Sequence, residues 1–153
     1  MQRILVAIDF SDFTPALTTH AVELAAALQA DVFLVHVEEP DPEFVGYDVG
    51  PQPRRDSVAR RMRREHRDLQ ALADELAAAG VEATALLIQG PTVEKLLAET
   101  ERLGANLIVM GTHGHGRLHE LLLGSVGQGV LRHARCPVLF VPVPRGDQSP
   151  LPT

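Results

Sequence analysis

A chain of 153 residues, 45% hydrophobic and 22% charged, has the size and balance of one globular domain with a single buried core. Only 4% of its residues are aromatic and Trp is absent, so Leu, Val, Ile and Ala must build that core. A net charge of −6 argues against nucleic acid or an anionic membrane as partner. The single cysteine, Cys136, excludes an intrachain disulfide and is expected to be a small buried hydrophobe.

The first apolar run, residues 3–8 (RILVAI), is rich in β-branched side chains and predicts a fully buried strand. Thr14 followed by Pro15 marks a helix start, since Pro at the first helical position gives up a donor that has no partner anyway. Leu17, Ala21, Leu24 and Leu28 then recur at helical spacing. Residues 31–37 (DVFLVHV) predict a second strand, and the acidic, Pro- and Gly-bearing stretch 38–53 predicts irregular chain.

A long helix is expected over residues 54–79, with Val58, Met62, Leu69, Leu72 and Leu76 on one face and Gly80 closing it. Residues 81–88 predict a third strand. Gly90-Pro91 opens a helix carrying Val93, Leu96, Leu97 and Leu103. Residues 106–110 (NLIVM) and 137–141 (PVLFV) predict strands four and five, and the polar, Pro-rich end from residue 144 to 153 is expected to be a mobile tail. No apolar run approaches the ~18 residues of a membrane span and no signal-like start is present, so a cytoplasmic location is expected. Strands alternating with helices imply right-handed βαβ crossovers, and so an α/β fold with a parallel sheet covered on both faces.

The densest chemical signal is Gly111-Thr-His113-Gly114-His-Gly116, directly after the fourth strand, followed by Gly124-Ser125 at the start of the last helix. Glycines after a buried strand let backbone amides approach a ligand closely. Ser125 with Gln128 three residues on reads as a capping box. A helix N-terminus there attracts anions through unpaired amides and the helix dipole. Two readings follow: a phosphate held between loop and helix, or glycines that only shape a tight turn. The segment is neither a Walker loop, as no Gly-Lys-Ser/Thr is present, nor the G-x-G-x-x-G fingerprint.

The spacing Gly111-x2-Gly114-x9-Gly124-Ser125 resembles that of universal stress proteins of the ATP-binding branch. So do its surroundings, Leu107-Ile-Val-Met-Gly-Thr-His-Gly114, Leu123-Gly-Ser-Val126 and Arg135-Cys-Pro-Val-Leu139, as well as Ile4-Leu-Val-Ala-Ile-Asp-Phe-Ser11 and Leu34-Val-His-Val37. The resemblance covers residues 2–143, so a domain over residues 1–143 is expected. It implies a doubly wound five-stranded sheet of order 3-2-1-4-5, with the ligand crevice between strands one and four. By resemblance, Ala7 lines the pocket, Asp9 lies near the ribose or a metal bound to the phosphates, and the backbone of Val37 meets the adenine. Gly111, Gly114, Gly124 and Ser125 hold the phosphates, with Met110, His113 and Val126 beside them. The expected ligands are ATP (or ADP or AMP) with Mg²⁺ or Mn²⁺. The expected assembly is a homodimer through strand five, Val138 to Val141. Asn106 departs from the Asp frequent in the family, at a position outside the motif.

Other features carry rival readings. Asp9, at a strand end, suits Mg²⁺ through its oxygens, or else caps the turn into the first helix. His113, His115 and His119 are close in sequence, but no Cys or carboxylate spacing completes a metal site. Seven of the fourteen basic residues fall within 54–67. Arg60, Arg61, Arg63, Arg64 and Arg67 form either a stripe for an anionic partner or a solvated face beside the acidic stretch, and the negative chain favours the latter. The function expected is a nucleotide-binding stress or regulatory module. Its rivals are a slow ATPase or phosphotransferase, for which the sequence offers no Walker lysine, no obvious general base and no acceptor pocket, and a nucleotide-free interaction domain.

Overall fold

The computed structural model describes residues 1–40, 52–112 and 123–142. In chain order the elements are β1 (Gln2–Ala7), α1 (Thr14–Leu28), β2 (Ala30–Glu38), α2 (Gln52–Ala78), β3 (Ala83–Gln89), α3 (Thr92–Leu103), β4 (Leu107–Gly111), α4 (Ser125–His133) and β5 (Val138–Val141). The five strands form one sheet of order β3-β2-β1-β4-β5, every neighbouring pair parallel. This is the order and class that the resemblance implies. Each expected element forms, with ends one or two residues from the sequence-based bounds.

Alternation along the strands sorts side chains onto two apolar layers. Ile4 and Val6 of β1, Val32 and Leu34 of β2 and Val109 of β4 pack with Leu17, Ala21 and Ala25 of α1 and Leu69, Ala73 and Leu76 of α2. Their neighbours Leu5, Val35, Val37, Ile108 and Met110 point the other way, onto Leu96 and Leu103 of α3 and Val130 of α4. The fully buried side chains are all aliphatic, as the scarcity of aromatics requires. Burying a Leu, Ile or Val side chain contributes about 1.5–3 kcal/mol, so the two layers are the main source of stability.

Local sequence explains the element ends. Pro15 lies in the first turn of α1, and Gly80 (φ +84) and Gly104 (φ +60) take the left-handed conformation that stops α2 and α3. Asn106 ties the start of β4 to β1 twice: Arg3 N–H donates to its Oδ1 and its own N–H donates to the Arg3 carbonyl, both at 2.8 Å. One expected core position is not in the core. Leu28, in the last turn of α1 where the chain reverses through Gln29, is 45% exposed. The inward stripe instead runs through Thr14, Leu17, Thr18, Ala21 and Ala25. Cys136 is partly rather than fully buried, at the margin of the second layer. The expected tail, residues 144–153, lies outside the described residues.

Candidate functional site

Chain direction reverses its order of strand placement at β1, which has β2 on one side and β4 on the other. Helices connecting to opposite faces leave a crevice at the carboxyl ends of these two strands. A cavity of about 540 Å³ occupies that crevice, within the ~300–1,000 Å³ usual for small-molecule sites. Among the described residues its walls come from seven elements and their adjoining loops. β1 and its following loop supply Ala7 and Asp9, β2 supplies Val37, and β4 supplies Met110 and Gly111. The start of α4 supplies Gly124, Ser125 and Val126. Of the ten residues expected at the site, these eight line one cavity. His113 and Gly114 lie outside the described residues, as do His115 and His119 of the histidine cluster.

Backbone hydrogen bonds hold the wall formed by β4, β5 and the start of α4. Gly124 N–H donates to the Thr112 carbonyl at 2.9 Å, and Thr112 N–H donates to the Val141 carbonyl at 3.2 Å. The end of β4, the start of α4 and the end of β5 are thereby one unit. Here the structure corrects a sequence expectation. Gly124, not Ser125, is the cap residue, and no side chain caps the helix. Gln128 does not close a capping box; its amide donates to the Leu123 carbonyl at 2.7 Å. Ser125 sits inside the first turn, so its hydroxyl is not spent on the helix terminus. Uncapped first-turn amides with Arg132 and His133 in the last turn leave the positive dipole end of α4 directed to the cavity.

The β1–α1 loop forms the opposite wall. Asp9 Oδ1 accepts the Ser11 N–H at 3.0 Å, the turn-capping role named among its two readings, while Asp9 also lines the cavity. Among the described residues no group of three or more His, Cys, Asp or Glu could hold a metal ion.

Several lining residues escaped the sequence reading. Thr92 at the start of α3 and Glu39 after β2 meet across the mouth, Thr92 Oγ1 donating to Glu39 Oε1 at 2.8 Å. His36 and Phe13 line the cavity too. None was given a site role from the sequence, although His36 falls within the Leu34-Val-His-Val37 segment, and the approach of β2 to α1 and α3 brings them there.

The basic face of α2 lies away from the cavity. Arg60, Arg63, Arg64 and Arg67 are exposed, and Arg61 turns to the end of β2, its Nε donating to Glu38 Oε1 at 2.7 Å. Among the described residues no helix is long and apolar enough to cross a membrane.

The sequence and the fold have parallels in known proteins. Residues 1–142 match the sequence profile described as the universal stress protein family. A Thermus aquaticus relative, named universal stress protein in QAH/OAS sulfhydrylase 3′region, is 37% identical over 141 residues, covering 92% of this chain and 98% of its own length. The solved structure of MJ0577, a universal stress protein of Methanocaldococcus jannaschii, aligns with a TM-score of 0.79 at 25% identity, over 95% of this chain and 98% of that one. Two further structures share the fold. One is a universal stress protein in complex with cAMP (TM-score 0.64, 24% identity, 92% of this chain and 95% of that one). The other, from Archaeoglobus fulgidus, is in complex with dAMP (TM-score 0.61, 20% identity, 92% and 97%). With the family profile running across all five strands and a 37% identical relative spanning nearly the same residues, this chain belongs to the universal stress protein family.

Proposed function

We propose that the cavity between β1 and β4 binds an adenine nucleotide, ATP or its products ADP and AMP, together with Mg²⁺ or Mn²⁺. The observation that carries this reading is the convergence of Ala7, Asp9, Val37, Met110, Gly111, Gly124, Ser125 and Val126 on one cavity. Apolar Ala7, Val37 and Met110 suit a base, while the uncapped start of α4 suits a phosphate. Family structures in complex with cAMP and dAMP support the adenine part. Asp9 is the residue suited to the ribose or the metal, and Gly114 and His113 complete the phosphate loop by resemblance. The protein acts in the cytoplasm as a stress-response or regulatory module, responding to nucleotide rather than consuming it. Phosphoryl transfer needs fixed positive charge on the transferred group and an oriented nucleophile. Among the described residues that line the cavity there is no Lys or Arg.

The assembly we propose is a homodimer through β5. This strand is an edge of the sheet, stopped by Pro142, and its Leu139 is 39% exposed. An apolar edge is a liability unless paired.

Mass spectrometry of small molecules released from the denatured protein, followed by calorimetric titration with ATP and Mg²⁺, tests the reading. Gly114→Val is expected to abolish binding with the circular dichroism spectrum unchanged, because a side chain there takes the space of the phosphate. Unchanged affinity in Gly114→Val overturns the loop assignment. A wild-type protein indifferent to millimolar ATP overturns the nucleotide reading. Turnover on the order of 1 s⁻¹, ordinary for enzymes, establishes the ATPase reading instead.

A further inference from the structure

Asp9 reaches the cavity from a loop that is held from behind. The preceding residue, Ile8, is gripped at both ends of its peptide. Its N–H donates to the Val35 carbonyl at 2.8 Å, and its carbonyl lies 2.7 Å from Nδ1 of His36. A carbonyl only accepts, so Nδ1 carries the hydrogen of that bond. The residue after Asp9, Phe10, has φ +56, a left-handed conformation rare for a bulky side chain. Its ring lies 4.7 Å from the His36 ring, inclined at 56°. His36 therefore touches the residues on both sides of Asp9. Strained backbone of this kind persists only where its surroundings over-determine it, and the His36 ring is one of those surroundings.

The ring is steadied in turn. His36 alternates along β2 with Val32 and Leu34, on the sheet face that α2 covers. Its Nε2 faces Glu65 Oε2 of α2 at 3.8 Å, with the His36 side chain 14% exposed. That oxygen of Glu65 is buried and has no hydrogen-bond partner among the described residues. Glu38, two residues along the same face, is occupied by Arg61.

We propose that His36 is a positioning residue of the cavity: its Nδ1–H and ring face fix the Ile8–Phe10 segment, so that the Asp9 carboxylate is presented to the ligand in one place. The link to ligand affinity rests on the nucleotide reading above. The link to loop geometry stands without it.

Two substitutions separate the ring nitrogens. In His36→Asn the side-chain amide nitrogen falls near the place of Nδ1 and still donates to the Ile8 carbonyl. In His36→Gln it falls near the place of Nε2 and does not. Titration of the full-length protein with ATP and Mg²⁺ is expected to give an affinity for His36→Asn within about threefold of wild type. His36→Gln is expected to lose about tenfold, the upper range for one net hydrogen bond. Equal losses in the two variants, or none in His36→Gln, overturn the proposal. Ligand-free protein supplies a second measurement. Nitrogen-15 spectra are expected to show His36 protonated on Nδ1, and amide exchange at Phe10 and Ser11 is expected to be fast in His36→Gln and slow in His36→Asn. A neutral ring protonated on Nε2 alone overturns the proposal even if a variant fails to fold. Wild-type protein that ignores ATP overturns the nucleotide reading, and the ring and amide measurements then decide the positioning role alone.

Discussion

Replacing Arg61 by Ala tests which member of the basic face of α2 the fold uses. The Glu38 side chain is 8% exposed, and Oε1 accepts from the Arg61 guanidinium at 2.7 Å, while Arg61 itself is 49% exposed. Its other oxygen, Oε2, is buried with no hydrogen-bond partner among the described residues. A hydrogen bond to a charged group contributes ~1.5–3 kcal/mol, against ~0–1 kcal/mol for a fully exposed ion pair. Removing one partner of a fully buried pair costs ~3–5 kcal/mol. With one partner buried and the other half in water, we expect Arg61→Ala to cost about 2 kcal/mol. In a domain of this length that corresponds to a fall in Tm of about 4–8 °C. Arg64→Ala, on the solvent side of the same helix, is expected to stay within about 0.5 kcal/mol of wild type. Adding Glu38→Gln to Arg61→Ala is expected to recover part of the loss, because no unpaired charge is then buried. Urea and thermal denaturation of the four proteins measure all of this. If Arg61→Ala costs no more than Arg64→Ala, the ion pair is not structural and the argument from burial is wrong.

Leu139→Lys puts a charge in the middle of β5 and is expected to shift a wild-type dimer toward monomer in light scattering; a monomeric wild type at micromolar concentration removes the edge-pairing proposal. Gly129→Ala gains about 1 kcal/mol of helix propensity, but a Cβ there would lie 2.8 Å from Val93 Cγ2. Overpacking costs ~1–3 kcal/mol, so a net loss of about 1 kcal/mol is expected in urea denaturation, relieved by Val93→Ala; a stabilised Gly129→Ala contradicts this packing. Burial pushes the Cys136 thiol pKa up, so at neutral pH it is a thiol and should react with iodoacetamide more slowly than the urea-unfolded chain. The native state then holds this proton more tightly than the unfolded state. Its contribution to stability is complete below the unfolded-state pKa and fades as pH rises through the raised one. Alkylation of native protein as fast as the unfolded chain refutes the shift.

Much of the fold was legible in the residues themselves. A run such as ILVAI or NLIVM is apolar on both sides because a central parallel strand is covered on both sides, and that pattern is local. The stop at Gly80 was local as well, set by the backbone freedom of one residue. The order of the strands came from the resemblance rather than from periodicity, since pattern alone does not say which strand lies beside which. The same resemblance placed eight described residues at one cavity, because glycine spacing after a strand is itself a constraint on backbone shape.

What escaped were features made by two distant segments meeting. Ser125 and Gln128 satisfied the pattern of a capping box, yet the Gly124 N–H is tied to the distant Thr112 carbonyl, and the cap fell one residue earlier. Leu28 fitted the helical spacing but ended in the turn into β2, beyond the reach of the sheet. His36 looked like one polar residue in a buried strand. Its partners, Ile8 and Glu65, lie 28 and 29 residues away in opposite directions. Local sequence decides which way a backbone bends and which face is apolar, because those preferences act within one turn or one pleat. Which polar groups meet across elements depends on where packing of the whole sheet leaves them, and only the tertiary structure brought His36 behind Asp9.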